Sequence, residues 1–134
     1  MKKIGVSQKA IIFNEEGKFL AIHRTSSAPY NPERWDLPGG DLDFGEDATE
    51  GIIREIKEEV GLEVKDLKLF DVESHVNKEN DFWVTIAYTA KSVSYNVTLS
   101  FEHDDFKWLT PEDFLKLESS DKLRRFVNGL NNIR

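Results

Sequence analysis

Three glutamates in one short stretch, Glu55, Glu58 and Glu59, are the residues of this sequence best suited to chemistry. If the stretch is helical, each residue advances by about 100° around the axis, so spacings of three and four place the three carboxylates within an arc of about 100°. Like charges this close repel each other, and they lie toward the negative end of the helix dipole. Because Mg²⁺ and Mn²⁺ prefer oxygen ligands, the cluster predicts a divalent metal site.

The segment around these glutamates resembles the Nudix box, a motif with glycine, glutamate, arginine and bulky aliphatic residues at fixed positions. All nine specified positions are filled, by Gly40, Glu46, Arg54, Glu55, Ile56, Glu58, Glu59, Gly61 and Leu62. The preceding sequence LPGG and two strand-like runs extend the resemblance over most of the chain. An acidic helix face alone is most often solvated surface, and the complete motif is what favours a functional site.

The resemblance to the Nudix family implies a role for each polar residue of the motif. Glu58 and Glu59 are expected to bind the metal, and Glu55 to act as a further ligand or as the general base. The backbone carbonyl of Gly39 is expected to join the ligand set. Arg54 is expected to orient the carboxylates through charge-assisted hydrogen bonds and so to contribute to catalysis.

The same resemblance points to residues outside the helix. Glu102 precedes Trp108 by six residues, which is similar to the spacing of a further metal-binding glutamate in MutT-type members. Asp104 and Asp105 compete with Glu102 for that role. The expected substrate contacts are an arginine at the end of the second strand, the first glycine of the motif and its auxiliary acid: Arg24, Gly40 and Glu46.

The implied reaction is metal-dependent hydrolysis of a diphosphate linkage in a nucleoside diphosphate derivative. A glutamate takes a proton from water, and the water oxygen attacks one phosphorus in line. By elimination, a MutT-like nucleoside triphosphate pyrophosphohydrolase is the favoured type, because marks of the ADP-ribose and diadenosine-polyphosphate hydrolases are missing after the motif. The alternatives are a hydrolase of a nucleotide sugar or another nucleoside diphosphate derivative, and a non-catalytic Nudix module that senses a nucleotide.

Patterns of apolar residues predict the elements that position the site. A helix from Asp47 to Val60 carries an apolar stripe of residues spaced by four, and Gly61 is suited to end it. A second helix is predicted to start at Thr110-Pro111, and a last helix spans about 121–130. The predicted strands are 8–13, 18–24, 35–38, 67–74, 82–90, 93–101 and 106–109. This order predicts an α/β Nudix fold in which a mixed sheet lies between helices, an α/β/α sandwich.

Gly51 lies inside the predicted helix, where glycine costs roughly 1 kcal/mol relative to alanine. Its helical angle falls between those of Glu55 and Glu58, one turn earlier. The sequence therefore suggests that the missing side chain leaves room for metal or phosphate, although a merely tolerated glycine is the alternative.

Length and charge restrict the remaining possibilities. The 134 residues fit one domain, 1–134, and the net charge of -7 disfavours stable nucleic-acid binding, so a small-molecule nucleotide substrate is expected. The absence of cysteine excludes disulfides and thiolate catalysis. No apolar stretch approaches the roughly 20 residues that span a bilayer. We expect a cytoplasmic protein that does not bind membranes, and a homodimer is compatible with the family resemblance.

Overall fold

The computed structural model describes residues 3–132. Its seven strands and three helices follow one another in the order β1 (Ile4–Phe13), β2 (Phe19–Arg24), β3 (Trp35–Asp36), β4 (Gly39–Asp41), α1 (Ala48–Val60), β5 (Val64–Val76), β6 (Phe82–Ser92), β7 (His103–Leu109), α2 (Pro111–Phe114) and α3 (Asp121–Gly129). A single 3₁₀ turn, Leu130–Asn132, follows the last helix.

The strands form one mixed sheet in the order β3-β2-β1-β6-β5, with β4 also paired to β1 and β7 to β2. Strands β1 and β6 are parallel along their whole length, from Ile4 opposite Phe82 to Phe13 opposite Lys91. All other strand pairs are antiparallel. The short β4 lies beside the middle of β1, directly before the chain enters the loop that leads to α1.

Helices cover both faces of the sheet, as the sequence predicts, and each face has its own core. Alternate residues of β1 point to opposite faces. Ala10 and Ile12 pack with Ile52 and Ile56 of α1. Ile11 packs on the other face, in a core that includes the buried residues of α2 and α3, among them Phe114, Phe126 and Val127. The α/β/α arrangement thus fixes α1, with its glutamates, against one face.

The predicted limits of α1 are confirmed within one residue. Asp47 precedes the helix and its carboxylate accepts a hydrogen bond from the Glu50 amide at 3.1 Å, which satisfies one free donor of the first turn. Gly61 ends the helix with a φ of 69°, a left-handed conformation that favours glycine. None of the described helices is long and apolar enough to cross a membrane.

The strand predicted at 93–101 is wrong. This segment is irregular from Val93 to Ser100 and runs beside the end of α1. Its amides donate to helix carbonyls: Thr98 N–H to Val60 at 2.9 Å and Ser100 N–H to Glu59 at 3.0 Å. The last carbonyls of a helix lack partners within the helix, so they compete with a neighbouring strand for these donors. The alternating apolar residues Val97 and Leu99 still pack against the α1 core.

Candidate active site

The three glutamates of α1 share one side of the helix but differ in burial. Glu58 is exposed, with 59% of its side chain accessible, whereas only 14% of the Glu55 side chain is accessible. The Glu59 carboxylate is largely buried and accepts a hydrogen bond from the Gly39 amide at 2.9 Å. Strand β4, through Gly39 and Gly40, therefore covers Glu59 and Glu55 and leaves Glu58 at the surface.

Arg54 is the cation at the centre of this cluster. Its Nε and Nη2 donate to the two carboxylate oxygens of Glu46 at 2.6 and 3.0 Å. Its Nη1 donates to Glu58 at 3.0 Å, and Nη2 lies 3.1 Å from Glu55. One guanidinium thus contacts three motif carboxylates, those of Glu46, Glu55 and Glu58.

The site has more negative charge than Arg54 can balance. Burial raises the pKa of Glu59 to about 7, although Lys9 and the Gly39 amide act in the opposite direction. Burial also raises the pKa of Glu55, and the nearby charge of Glu58 adds to this effect. Raised carboxylate pKa values mean that the surroundings disfavour the negative charges, which a bound cation would stabilise.

Two glycines allow the loop before α1 to approach the glutamates. A Cβ on Gly40 would lie 2.5 Å from the Glu55 carboxylate. A Cβ on Gly39 would lie 1.9 Å from the backbone oxygen of Gln8, on the neighbouring strand β1. Pairing of β4 with β1 sets both approaches, because it places Gly39 opposite Lys9 and Gly40 opposite Gln8.

Gly51 does not have the role suggested by the sequence. A Cβ at this position would lie 3.0 Å from both a Glu46 carboxylate oxygen and a Leu42 methyl group. The space beside Gly51 is therefore filled by the loop between β4 and α1. The missing side chain lets that loop, and with it Glu46, reach Arg54, and it opens no path for metal or phosphate.

The donor types fit a divalent cation, but the ligands are not preassembled. Carboxylate oxygens from Glu55, Glu58 and Glu59 are the ligands that Mg²⁺ and Mn²⁺ prefer. Within residues 3–132, however, no three acidic or histidine side chains converge closely enough to hold an ion. Arg54 holds the Glu58 carboxylate and the Gly39 amide holds that of Glu59, so metal binding requires these side chains to converge.

Arg24, the last residue of β2, lies in a second cluster of charged residues outside the Nudix motif. Its Nη1 is 3.4 Å from Asp36, its Nε donates to the Tyr30 carbonyl at 2.7 Å, and its Nη2 is 4.0 Å from Glu102. Asp36 also binds Lys9, at 2.9 Å. The predicted substrate contact Arg24 and the predicted ligand Glu102 are thus adjacent. Asp104 instead pairs with the His23 ring at 2.6 Å.

Lys9 and Asp36 are candidate site residues that the sequence analysis missed. Both are largely buried, and Lys9 lies close enough to Glu59 to lower its pKa. A signal was present: Lys9 occupies the same face of β1 as the buried Ile11, where a charged residue requires a partner. The partner could not be identified, because Asp36 is distant in sequence and lies on β3.

Exposed aromatic residues flank both ends of α1. Phe44, fully exposed, lies in a turn closed by a hydrogen bond from the Glu46 amide to the Asp43 carbonyl at 3.0 Å. Phe101, 91% exposed, lies in a turn closed by the His103 amide and the Ser100 carbonyl at 3.1 Å. Exposed aromatic rings beside an acidic site are suited to contact a planar base.

Together the fold and this site define an α/β/α enzyme whose acidic centre lies on a helix packed against the sheet. The NUDIX domain model matches residues 3–129, so the chain belongs to the Nudix family and is a Nudix hydrolase that acts on nucleoside diphosphate derivatives. Hydrolases of this family generally use divalent metal ions.

The chain is similar to several known proteins. A bis(5'-nucleosyl)-tetraphosphatase (asymmetrical) from Caenorhabditis elegans is 34% identical over 116 residues, which covers 74% of this chain and 78% of that protein. The nucleoside triphosphatase NudI of Enterobacter sp. (strain 638) is 26% identical over 123 residues, which covers 84% and 87%. The crystal structure of a MutT protein from Methanosarcina mazei Go1 has a TM-score of 0.84 at 29% identity and covers 98% of this chain and 95% of that one.

Proposed function

We propose that this Nudix hydrolase is a nucleoside triphosphate pyrophosphohydrolase that uses Mg²⁺ or Mn²⁺. The observation that carries the proposal is the acidic face of α1, where Glu55, Glu58 and Glu59 lie beside the two glycines that begin β4. Similarity to NudI and to a MutT protein supports a triphosphate substrate. The products are a nucleoside monophosphate and pyrophosphate.

Glu58, Glu59 and the carbonyl of Gly39 are the proposed metal ligands, with Glu102, which lies beside Arg24, as a further ligand from outside the helix. When bound, the cation neutralises the phosphate charges and makes a water molecule more acidic. Glu58 is the most accessible of the proposed ligands, because its carboxylate is exposed, and metal binding would require it to exchange its hydrogen bond with Arg54 for the cation.

We assign proton abstraction from the attacking water to Glu55. A buried carboxylate with a raised pKa is a stronger base than an exposed one. Burial also raises the pKa of Glu59, to about 7, but one of its oxygens is engaged by the Gly39 amide. Arg54 keeps Glu55 in place, and the bidentate bond to Glu46 keeps Arg54 in place. Glu46 therefore positions Glu55 through Arg54.

The exposed rings Phe44 and Phe101 are the proposed contacts for the base of the nucleotide. Their turns are attached to the acidic centre, one through Glu46 and the other through the hydrogen bond from Ser100 to the Glu59 carbonyl. A base stacked on either ring would leave the phosphate chain beside α1.

A second candidate substrate is a dinucleoside polyphosphate. It is favoured by the 34% identity to the tetraphosphatase of Caenorhabditis elegans. Such a substrate carries a base at each end of its phosphate chain, and exposed aromatic rings lie near both ends of α1.

A substrate panel with identified products separates these functions. Nucleoside triphosphates, dinucleoside polyphosphates, nucleotide sugars and ADP-ribose are each incubated with Mg²⁺ or Mn²⁺, and products are resolved by ion-exchange chromatography. We expect the highest kcat/KM for a triphosphate, with pyrophosphate released. Release of a nucleoside triphosphate from a dinucleoside tetraphosphate at higher kcat/KM would favour the second candidate. No metal-dependent turnover of any compound would contradict both and favour a nucleotide-sensing module.

A further inference from the structure

Five of the twelve large apolar side chains that are exposed within residues 3–132 lie close together on the sheet. They come from β1, β5 and β6, and their exposed fractions range from 37% to 69%. These residues, here called the apolar patch, are Ile4, Leu69, Val72, Val76 and Phe82. Single exposed apolar residues are ordinary, whereas a contiguous group of them marks an interaction surface.

Strand register places the whole apolar patch on the face of the sheet that α1 covers in part. The directly opposed residues of paired strands are Ile4 and Phe82, Phe82 and Val76, Ile86 and Val72, and Tyr88 and Leu69. Ile86 and Tyr88 pack in the core beneath α1. Opposed residues point to the same face, and so do residues two apart along a strand. The helix therefore leaves the beginning of β1 and β6 and the edge strand β5 uncovered on this face.

The uncovered part of this face is free of charge, although 32% of the chain's residues are charged. Between the patch residues the same face presents Val6, Val84 and Ser74, which lie opposite one another on the three strands. The charged residues Asp71 and Glu73 of β5 alternate with Val72 and point to the other face. Depletion of charge is typical of the centre of a protein–protein interface.

The outer edge of β5 is closed to strand addition at Val72. The Val72 amide donates to the Asp71 carboxylate at 2.8 Å, and the Val72 carbonyl accepts from Arg125 of α3 at 3.1 Å. Both backbone groups of one strand residue point to the same side, and side chains hold them here, so they face away from β6. A partner strand would have to displace Arg125, which also binds Asp71 at 3.2 Å. The face is therefore open to a partner where the edge is not.

Charges at the two ends of the apolar patch favour a second copy of this chain as the partner. At one end lies the first turn of α1 with the exposed acids Asp47 and Glu50. At the other end lies Lys3, whose carbonyl accepts from the Phe82 amide at 3.2 Å. The nearby turn between β5 and β6 adds both signs of charge: Lys78, Glu79 and Asp81. A two-fold axis through the patch brings the acids of each copy to Lys3 of the other and keeps the two acidic ends apart.

We propose that the apolar patch is the interface of a homodimer in which two copies pack their uncovered sheet faces against each other. Sheets that pack face to face interdigitate their apolar side chains at a separation of about 10 Å. Typical monomers expose apolar patches of at most roughly 300–600 Å², and each partner of a stable interface buries roughly 800 Å². The patch with its polar rim at Lys3, Ser74 and the first turn of α1 is suited to an interface of that size. β4, which approaches Glu55 and Glu59, pairs with β1 on the side away from β6 and β5, so both acidic sites stay open in the dimer.

Sedimentation equilibrium of the full chain at micromolar concentrations tests the proposal without any need for turnover. We expect the wild type to have twice the chain mass of 15.5 kDa. Val76→Glu places a charge in the apolar patch and should raise the dissociation constant of the dimer at least about tenfold, because a charge buried without a partner is costly. Val93→Glu is the matched control and should leave this constant unchanged. Val93 is 53% exposed, close to the 59% of Val76, and lies outside the sheet.

Thermal melts establish that the variants fold, and Ile4→Glu repeats the test on β1 if Val76→Glu does not. Lys3→Glu tests the two-fold arrangement and should weaken the dimer, more strongly at low salt, because salt screens exposed charges. An unchanged dissociation constant in Lys3→Glu would contradict that arrangement. A wild type that stays monomeric at every concentration would overturn the proposal, even if another protein binds this face. So would a dimer that is equally strong in the folded Val76→Glu or Ile4→Glu variant.

Discussion

At the scale of single residues, the surroundings give the three glutamates of α1 different properties. Glu59 lies beneath the Gly39 amide, Glu55 lies against Gly40, and Glu58 faces solvent. Their common face follows from helical spacing and was predictable from the sequence. Their burial was not predictable from the sequence, because it depends on the pairing of β4 with β1, which brings Gly39 and Gly40 onto the helix.

The close approach of Gly40 to Glu55 predicts a selective loss of activity in Gly40→Ala. The added methyl group would lie 2.5 Å from the Glu55 carboxylate. Two groups cannot approach this closely, so the carboxylate must move. We expect kcat to fall at least about tenfold, in line with misplacement of a catalytic group by roughly 1 Å. Because the side chain of Glu55 can rotate away, the melting temperature should change little. Steady-state kinetics and thermal melts check both statements, and an unchanged kcat would contradict the role of Glu55.

The buried ion pair between Lys9 and Asp36 predicts a large loss of stability in Asp36→Asn. Removal of the carboxylate leaves Lys9 and Arg24 without their shared counter-charge, and breaking a buried pair typically costs about 3 kcal/mol or more. Urea denaturation at pH 7 measures this free energy. Asp104→Asn is the control, because Asp104 is exposed in its pair with His23 and exposed pairs contribute about 0–1 kcal/mol. Equal losses in the two variants would contradict a structural role for the pair.

The pH dependence of stability gives a second readout of Asp36→Asn. Burial alone would raise the pKa of Asp36, but Lys9 and the Leu37 amide outweigh it, so the folded pKa lies below the usual value of 3.8. The stability that this carboxylate contributes is therefore complete above its ordinary pKa and is lost as the pH falls through the folded value. Wild-type protein should lose more unfolding free energy below about pH 4 than the variant does.

At the scale of elements, the sequence predicted the ends of helices correctly where a capping residue of the helix itself determines them. The cap residue Asp47 and the glycine Gly61 predicted the ends of α1, and Thr110-Pro111 predicted the start of α2. The prediction failed at 93–101, where an alternating pattern meets helix carbonyls and not a neighbouring strand. It also missed β4, since two glycines do not resemble a strand and only their pairing with β1 makes them one.

The two side-chain caps provide matched tests at this scale. In Asp47→Ala and in Thr110→Ala, one hydrogen bond from a carboxylate or hydroxyl oxygen to a first-turn amide is lost. Each loss should lower the unfolding free energy by about 1 kcal/mol. Asp47 adjoins Glu46, so Asp47→Ala should also reduce kcat, whereas Thr110→Ala should not. Chemical denaturation and kinetics on the two variants measure this difference, and equal kcat values would show that the cap does not position the acidic loop.

At the scale of the whole molecule, the sheet separates two regions of opposite charge. The acidic face of α1 lies on one side, and on the other a small cleft at the start of α3 is lined by the cations Lys9, Arg24, Arg34 and Lys122. The overall charge of -7 was visible in the sequence and argued against nucleic acid. Its distribution was not visible, because Lys9, Arg24 and Lys122 come from three separated segments that only the fold brings together.

The central claim is that the carboxylates of α1 perform metal-dependent hydrolysis, and Glu58→Gln tests it most directly. Initial rates on the best nucleotide substrate are measured over a Mg²⁺ titration for the wild type, Glu58→Gln and Glu63→Gln. Glu63 is a matched control because it is exposed and lies beyond the end of the helix. We expect a folded Glu58→Gln protein that loses about two orders of magnitude in rate, beside a control that stays within twofold of the wild type. Wild-type turnover by folded Glu58→Gln at every Mg²⁺ concentration would contradict the claim.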